Sequence, residues 1–149
     1  MIKTANGHIV NWHDMTVNEA VGQWASDMIA RGLPDQVFNR VWTIILPKDS
    51  VPFRDAFGIV LPFRWGYVVV IAGQSRGFNP YLPEIFAHEV GHIYDFRLME
   101  HESRQQWMNS NGFEGQSVDE WTVGGIDSPS EIFADWVMER YGSDIVKGD

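Results

Sequence analysis

The sequence predicts an α+β domain built in the order helix, three strands, helix, short helix, long polar connection, helix. Two observations carry this. Apolar residues recur at helical spacing in three segments, and three short apolar runs rich in β-branched residues lie together between the first two of them. Capping-box, Gly and Pro signals fall at the boundaries. The expected architecture is a small mixed or antiparallel sheet packed on an N-terminal helix and a central helix, with a further helix at the C-terminal end.

The elements follow in order. The opening dozen residues look extended or loose. Thr16-Val17-Asn18-Glu19 has the form of a capping box, so a helix starts at Thr16, and Gly32 is a plausible stop. Val17, Ala20, Val21, Trp24, Met28 and Ile29 give that helix one apolar stripe. Residues 34–40 turn the chain. VWTIIL (41–46) is a strand ended by Pro47. GIVLPF (58–63) and GYVVVIAG (66–73) are two more, joined by a short turn around Arg64-Trp65-Gly66. Pro62 places the first of them at a sheet edge or a bulge, because it has no N–H for a ladder.

QSRGFNP (74–80) is a loop. Pro83 suits the first turn of a helix running to about residue 99. Residues 101–109 form a short helix, and Asn109 to Asp127 a long loop rich in Gly, Asn, Ser and acidic groups. Ser128-Pro129-Ser130-Glu131 is a second capping box with Pro at the first helical position. The last helix then runs to about Tyr141, with Gly142 as its end.

Composition narrows the function. At 149 residues the chain, 1–149, has the size of a single domain, and its 44% hydrophobic content supports a core. Twenty acidic against 11 basic side chains disfavour nucleic acid as a partner. Without cysteine there is no disulfide, thiolate ligand or thiol nucleophile. No apolar run reaches the roughly 18 residues of a membrane span. The first residues carry no apolar signal core, so a cytoplasmic protein is expected, or one released without a standard signal.

The chemistry centres on HEVGH, residues 88–92. A helix turns about 100° per residue, so His88 and His92 point the same way, about 40° apart and one turn along. Glu89 reaches toward a water on a shared metal without ligating it, as in H-E-x-x-H. Phe86, Val90, Ile93 and Tyr94 lie on the opposite side and are expected in the core. Gly91 costs about 1 kcal/mol relative to Ala inside a helix, so either something approaches its backbone closely or the cost is simply tolerated. The plainer alternative is a chance spelling on a buried helix.

A catalytic zinc takes three protein ligands and keeps one position open. Asp95 follows His92 on roughly the same face, but three ligands from one straight helix rarely converge. It is read as a capping, salt-bridging or supporting group. His101 would need the chain to fold back at once. The longer pattern H-E-x-x-H-x-x-G-x-x-H fails, because Asp95 and Leu98 stand where Gly and His are required. Glu131 opens a new helix after a connection long enough to bring it round, and Asp135 follows one turn later. One carboxylate would bind metal while the other accepts a hydrogen bond from a ligating imidazole. The plainer alternative has Glu131 completing its capping box and Asp135 solvated at the surface.

HEVGH followed by EIFAD resembles the zincin metallopeptidases, specifically the gluzincin pattern H-E-x-x-H then E-x-x-x-D. The resemblance covers about residues 84–141. It implies a zincin-like fold and a zinc ion held by His88, His92 and Glu131, with Glu89 as general base and acid. It also implies Asp135 as partner of a ligating histidine, His88 being the candidate. The activity implied is peptide-bond hydrolysis, and the partner a peptide or protein substrate. In that family the sheet edge beside the motif helix pairs with an extended substrate, for which GYVVVIAG (66–73) is the candidate; its alternative is an interior strand.

A second donor for the oxyanion is expected among Tyr141, Tyr94, Tyr81 and His101, of which Tyr141 is the least arbitrary because it lies on the ligand-bearing helix. His8 and His13 are assigned nothing. Most of the seven Trp are read as core or its margin. Residues 101–127 are read as a rim over the cleft or an inert insertion. Two other functions compete: a zincin-shaped binding or regulatory domain without catalysis, and a zinc hydrolase acting on a non-peptide amide.

Overall fold

The computed structural model describes residues 2–3, 9–11, 15–47, 58–73 and 82–147, with side chains described within 21–45, 58–72 and 82–142. The strands are β1 (Ile2–Lys3), β2 (Ile9–Asn11), β3 (Val41–Pro47), β4 (Gly58–Phe63) and β5 (Gly66–Gly73). The helices are α1 (Met15–Ala30), α2 (Leu82–Leu98), α3 (His101–Ser110) and α4 (Pro129–Lys147). This is the α+β arrangement expected, with a mixed sheet. Among the described residues no helix is long and apolar enough to cross a membrane. The loop read at 74–80, Tyr81, His8 and His13 lie outside the described residues. So do the side chains of the Thr16–Glu19 capping box, although helix covers that stretch from Met15.

The sheet runs in the order β1-β2-β3-β5-β4. Its body is β3 and β5 in parallel with β4 antiparallel on the far side of β5. The opening residues, read as extended or loose, supply β1 and β2 beside β3. One expectation fails here. GYVVVIAG is an interior strand, because β5 is paired along both sides, and the edge is β4. Pro62, the residue that cannot donate to a ladder, sits on that edge as its chemistry requires.

Alternation puts Val41, Thr43 and Ile45 level with Tyr67, Val69 and Ile71 on one face of the sheet. The apolar members of this set join the core formed by Val21, Trp24 and Met28 of α1, Phe86, Val90 and Ile93 of α2, and Phe133 and Val137 of α4. α1 ends as read: Gly32 has φ +105°, a conformation that suits a residue without a Cβ, and its N–H bonds to the Ile29 carbonyl.

The connection after α3 is more ordered than a polar loop. It carries 3-10 turns at Val118–Glu120 and Gly125–Asp127, and buries Val118 and Trp121 in the core. Asp95 explains why. Only 2% exposed, it accepts hydrogen bonds from Arg104 Nε on α3 (2.7 Å) and from Trp121 Nε1 (2.9 Å). A buried carboxylate without partners would be costly, and these two bonds tie α2, α3 and the connection together. The salt-bridging role read for Asp95 therefore holds. At the far end, Ser130 N–H bonds to the Trp121 carbonyl (2.8 Å), which carries the connection into α4.

α2 and α4 meet through small residues. A Cβ on Gly91 would stand 2.7 Å from Ala134 Cα and 2.9 Å from its carbonyl oxygen, distances no real Cβ adopts. Of the two readings of this mid-helix glycine, a close approach or a tolerated cost, the close approach is the one observed. Gly142 does the same against Ala87, where a Cβ would lie 2.7 Å from the alanine's. Gly142 was expected to stop the last helix. It does not, and α4 continues to Lys147, because this glycine serves the crossing.

A Gly91→Ala substitution should destabilise the protein by about 1–3 kcal/mol through overpacking, despite alanine's better helix propensity. Chemical denaturation checks this; an equal or higher midpoint would show that the helices have room to part.

Candidate metal centre

α2 presents His88 and His92 on one stripe, toward α4. α4 begins where the sequence places it, with Pro129 first and Ser128 Oγ accepting from the Glu131 N–H (3.3 Å). The reciprocal half of the capping box is not made. Ser128 N–H bonds to the Gly125 carbonyl instead, and the Glu131 carboxylate turns to the histidines. Of the two roles read for Glu131, its carboxylate does not complete the capping box and lies instead in a group that could hold a metal.

Glu131 Oε2 lies 2.8 Å from His88 Nε2, and both Glu131 oxygens lie 3.3 Å from His92 Nε2. Asp135, one turn further on, lies 2.7 Å from His88 Nδ1. An imidazole that gives its Nδ1 proton to a carboxylate turns its Nε2 lone pair outward, as metal-ligating histidines do. One ligand atom from each of His88, His92 and Glu131 lies within 4.8 Å of the other two. Zinc bonds of about 2.0–2.1 Å in a tetrahedron want donors roughly 3.3 Å apart, so a small opening of this cluster admits an ion. Two nitrogens and one carboxylate also suit zinc's donor preferences.

Charge in the site is unusual. Burial alone would lower the pKa of His88, but the carboxylates of Glu89, Asp135 and Glu131 outweigh it and hold the imidazole above its ordinary value. His92 goes the other way: burial and the neighbouring His88 outweigh the pull of Glu131 and Asp95. Glu89 is 6% exposed. Burial drives its pKa from 4.5 up to about 7, with His88 pulling it down and Glu131 pushing it up.

Two features here escaped the sequence reading. Gly58, at the start of edge strand β4, packs on Glu89: a Cβ there would come within 2.9 Å of Glu89 Cγ and of Ile85 Cγ2. A glycine opening an apolar strand carried no signal of this. Phe96 continues the His88 and His92 stripe by one more turn and stacks toward His92 at 6.4 Å between ring centroids. Its spacing was the available signal.

Of the expected oxyanion donors, the three among the described residues are not drawn in. Tyr141 is buried in the core, ten residues or about 15 Å of rise along α4 from Glu131. Tyr94 packs at a tilt against Phe133, 5.7 Å between ring centroids, on the side of α2 away from the histidines. His101 is exposed at the start of α3. No family model matches the chain, and no curated protein or solved structure is significantly similar to it.

Glu89 makes stability depend on pH in the metal-free protein. Its folded pKa is raised, so the folded state holds a proton that the unfolded state gives up. The associated stability is present below about pH 4.5 and is lost as pH rises to about 7. The full shift corresponds to about 3 kcal/mol at most. His88 acts in the same direction and His92 in the opposite one, so the comparison must isolate Glu89. With a chelator present, Glu89→Gln should gain on the parent by about 2–3 kcal/mol between pH 5 and pH 8. Parallel pH profiles for the two proteins would contradict this.

Proposed function

We propose that the chain is a zinc-dependent metallopeptidase of the gluzincin type. His88, His92 and Glu131 hold the ion, Glu89 is the general base and acid, and Asp135 orients His88. The observation that carries the reading is the convergence of HEVGH and EIFAD: five side chains from two distant segments meet, with Asp135 at 2.7 Å from His88 Nδ1 and Glu131 at 2.8 Å from its Nε2. A helix carrying a base beside two ligands, a later helix carrying the third, and an antiparallel edge strand alongside are also what a zincin-like fold requires.

Zinc bound there would supply a Lewis acid for the scissile carbonyl and make an attacking water more acidic. The chain's own residues supply the rest. Glu89 sits one residue from His88 and is pressed by Gly58, which limits where its carboxylate can lie. Burial raises its pKa toward neutrality, so it can take a proton from the water and return it to the departing amine. Asp135 fixes the ring orientation and tautomer of His88. Among the described residues no strand pairs with the outer edge of β4, which begins at Gly58 beside Glu89, and an extended peptide could add there as a further strand. A purely structural ion would have no use for a buried carboxylate beside its ligands.

Protein purified without added metal should contain about one zinc per chain. Glu89→Gln should keep that zinc and lose peptide hydrolysis by about 100-fold or more. Elemental analysis with a quenched-peptide assay checks both. Full activity in Glu89→Gln would remove Glu89 from the mechanism, and zinc with no hydrolysis by the parent would favour a binding domain.

A further inference from the structure

The metal-facing stripe of α2 does not stop at His92. Four residues on stands Phe96, a large apolar side chain that is 47% exposed. Single exposed apolar residues are common and need no explanation. Phe96 differs in being held. Its ring stacks on Tyr67 of β5 at 5.8 Å with an interplanar angle of 21°, and faces His92 at 6.4 Å and 22°. Tyr67 in turn lies opposite Pro62 of edge strand β4. An aromatic surface therefore begins beside one candidate metal ligand and reaches the sheet edge.

We propose that Phe96, supported by Tyr67, is a substrate subsite that takes an aromatic or large aliphatic side chain of a bound peptide. This rests on the metallopeptidase reading and adds a substrate class to it. The spacing suits the role. From His92 to Phe96 is 6.4 Å between ring centroids, about two residues of extended chain at roughly 3.3 Å each. The side chain recognised thus belongs to a residue next to the scissile bond or one further along.

The chemistry selects against a cation. The Arg97 guanidinium stands 4.9 Å over the Tyr67 ring, the ring on which Phe96 stacks, and its Nη1 is anchored on the Gln36 carbonyl at 2.8 Å. That fixed positive charge beside the subsite repels a second cation. A neutral aromatic ring meets no such charge penalty and gains from stacking.

Amino-acid hydroxamates test this without requiring turnover, because the hydroxamate chelates zinc and leaves the side chain to find its subsite. Calorimetry on the zinc-loaded protein should show phenylalanine hydroxamate binding about tenfold tighter than glycine hydroxamate, a gain of about 1.4 kcal/mol. In Phe96→Ala that ratio should fall toward one while glycine hydroxamate binds as before. Phe96→Tyr should restore the preference, which a loss of folding would not allow. Equal binding of the two ligands by the parent, or a preference that survives in Phe96→Ala, would overturn the subsite and leave the metal site standing. Failure of the parent to take up zinc would overturn the metal reading and the subsite with it.

Discussion

The contact on which the rest of the structure depends is between two backbones. Gly91 of α2 lies against Ala134 of α4 with no room for a Cβ between them. Two turns further along α4, Gly142 leaves room for the Ala87 methyl group. The helices therefore run antiparallel past one another at the closest range side chains permit. Glu131 sits one turn before Ala134 and so comes level with His92 and His88, while Asp135 comes level with His88 alone. A wider crossing would leave the carboxylates short of the imidazoles. Short polar side chains can close the cluster only because small residues have closed the gap first.

Electrostatics then explains why the cluster suits a cation. Glu89, Glu131 and Asp135 surround His88, and a half-buried group of carboxylates is stable only when something positive lies among them. Without metal, these carboxylates favour the charged imidazole over the neutral one and hold His88 above its ordinary pKa against the effect of burial. A divalent ion would take the proton's place between His88 Nε2 and Glu131, and its binding would release protons. Glu89 stands aside from this exchange. Its burial against Gly58 keeps it near the ligands yet outside the group that can hold an ion.

Much of this was legible in the sequence, and what was hidden was non-local. HEVGH fixes two imidazoles on one helical face by geometry alone. The second capping box located the start of α4, and with it the point where Glu131 re-enters. Gly91 raised the question of a close approach through its cost inside a helix, but a tolerated cost reads the same. Nothing local could say that β5, the most apolar strand, is interior and β4 the edge, because pairing is decided between strands. Pro62 was the one residue whose own chemistry bore on it. Gly142 was misread because a glycine that ends a helix and one that admits a neighbouring helix are spelled alike. The connection at 109–127 reads as polar, yet Val118 and Trp121 anchor it, and Trp121's partner Asp95 is distant in the chain. Tyr141 shares a helix with Glu131, but ten residues of helix between them separate as firmly as a loop.

Anomalous diffraction at the zinc absorption edge, from crystals of protein purified without added metal, tests the central claim most directly. The account predicts a single strong peak bounded by His88 Nε2, His92 Nε2 and Glu131, with the Asp135 carboxylate still on His88 Nδ1 and Glu89 close by but not bonded to the ion. Crystals soaked in zinc that show no peak there, or a peak held by other residues, would contradict it.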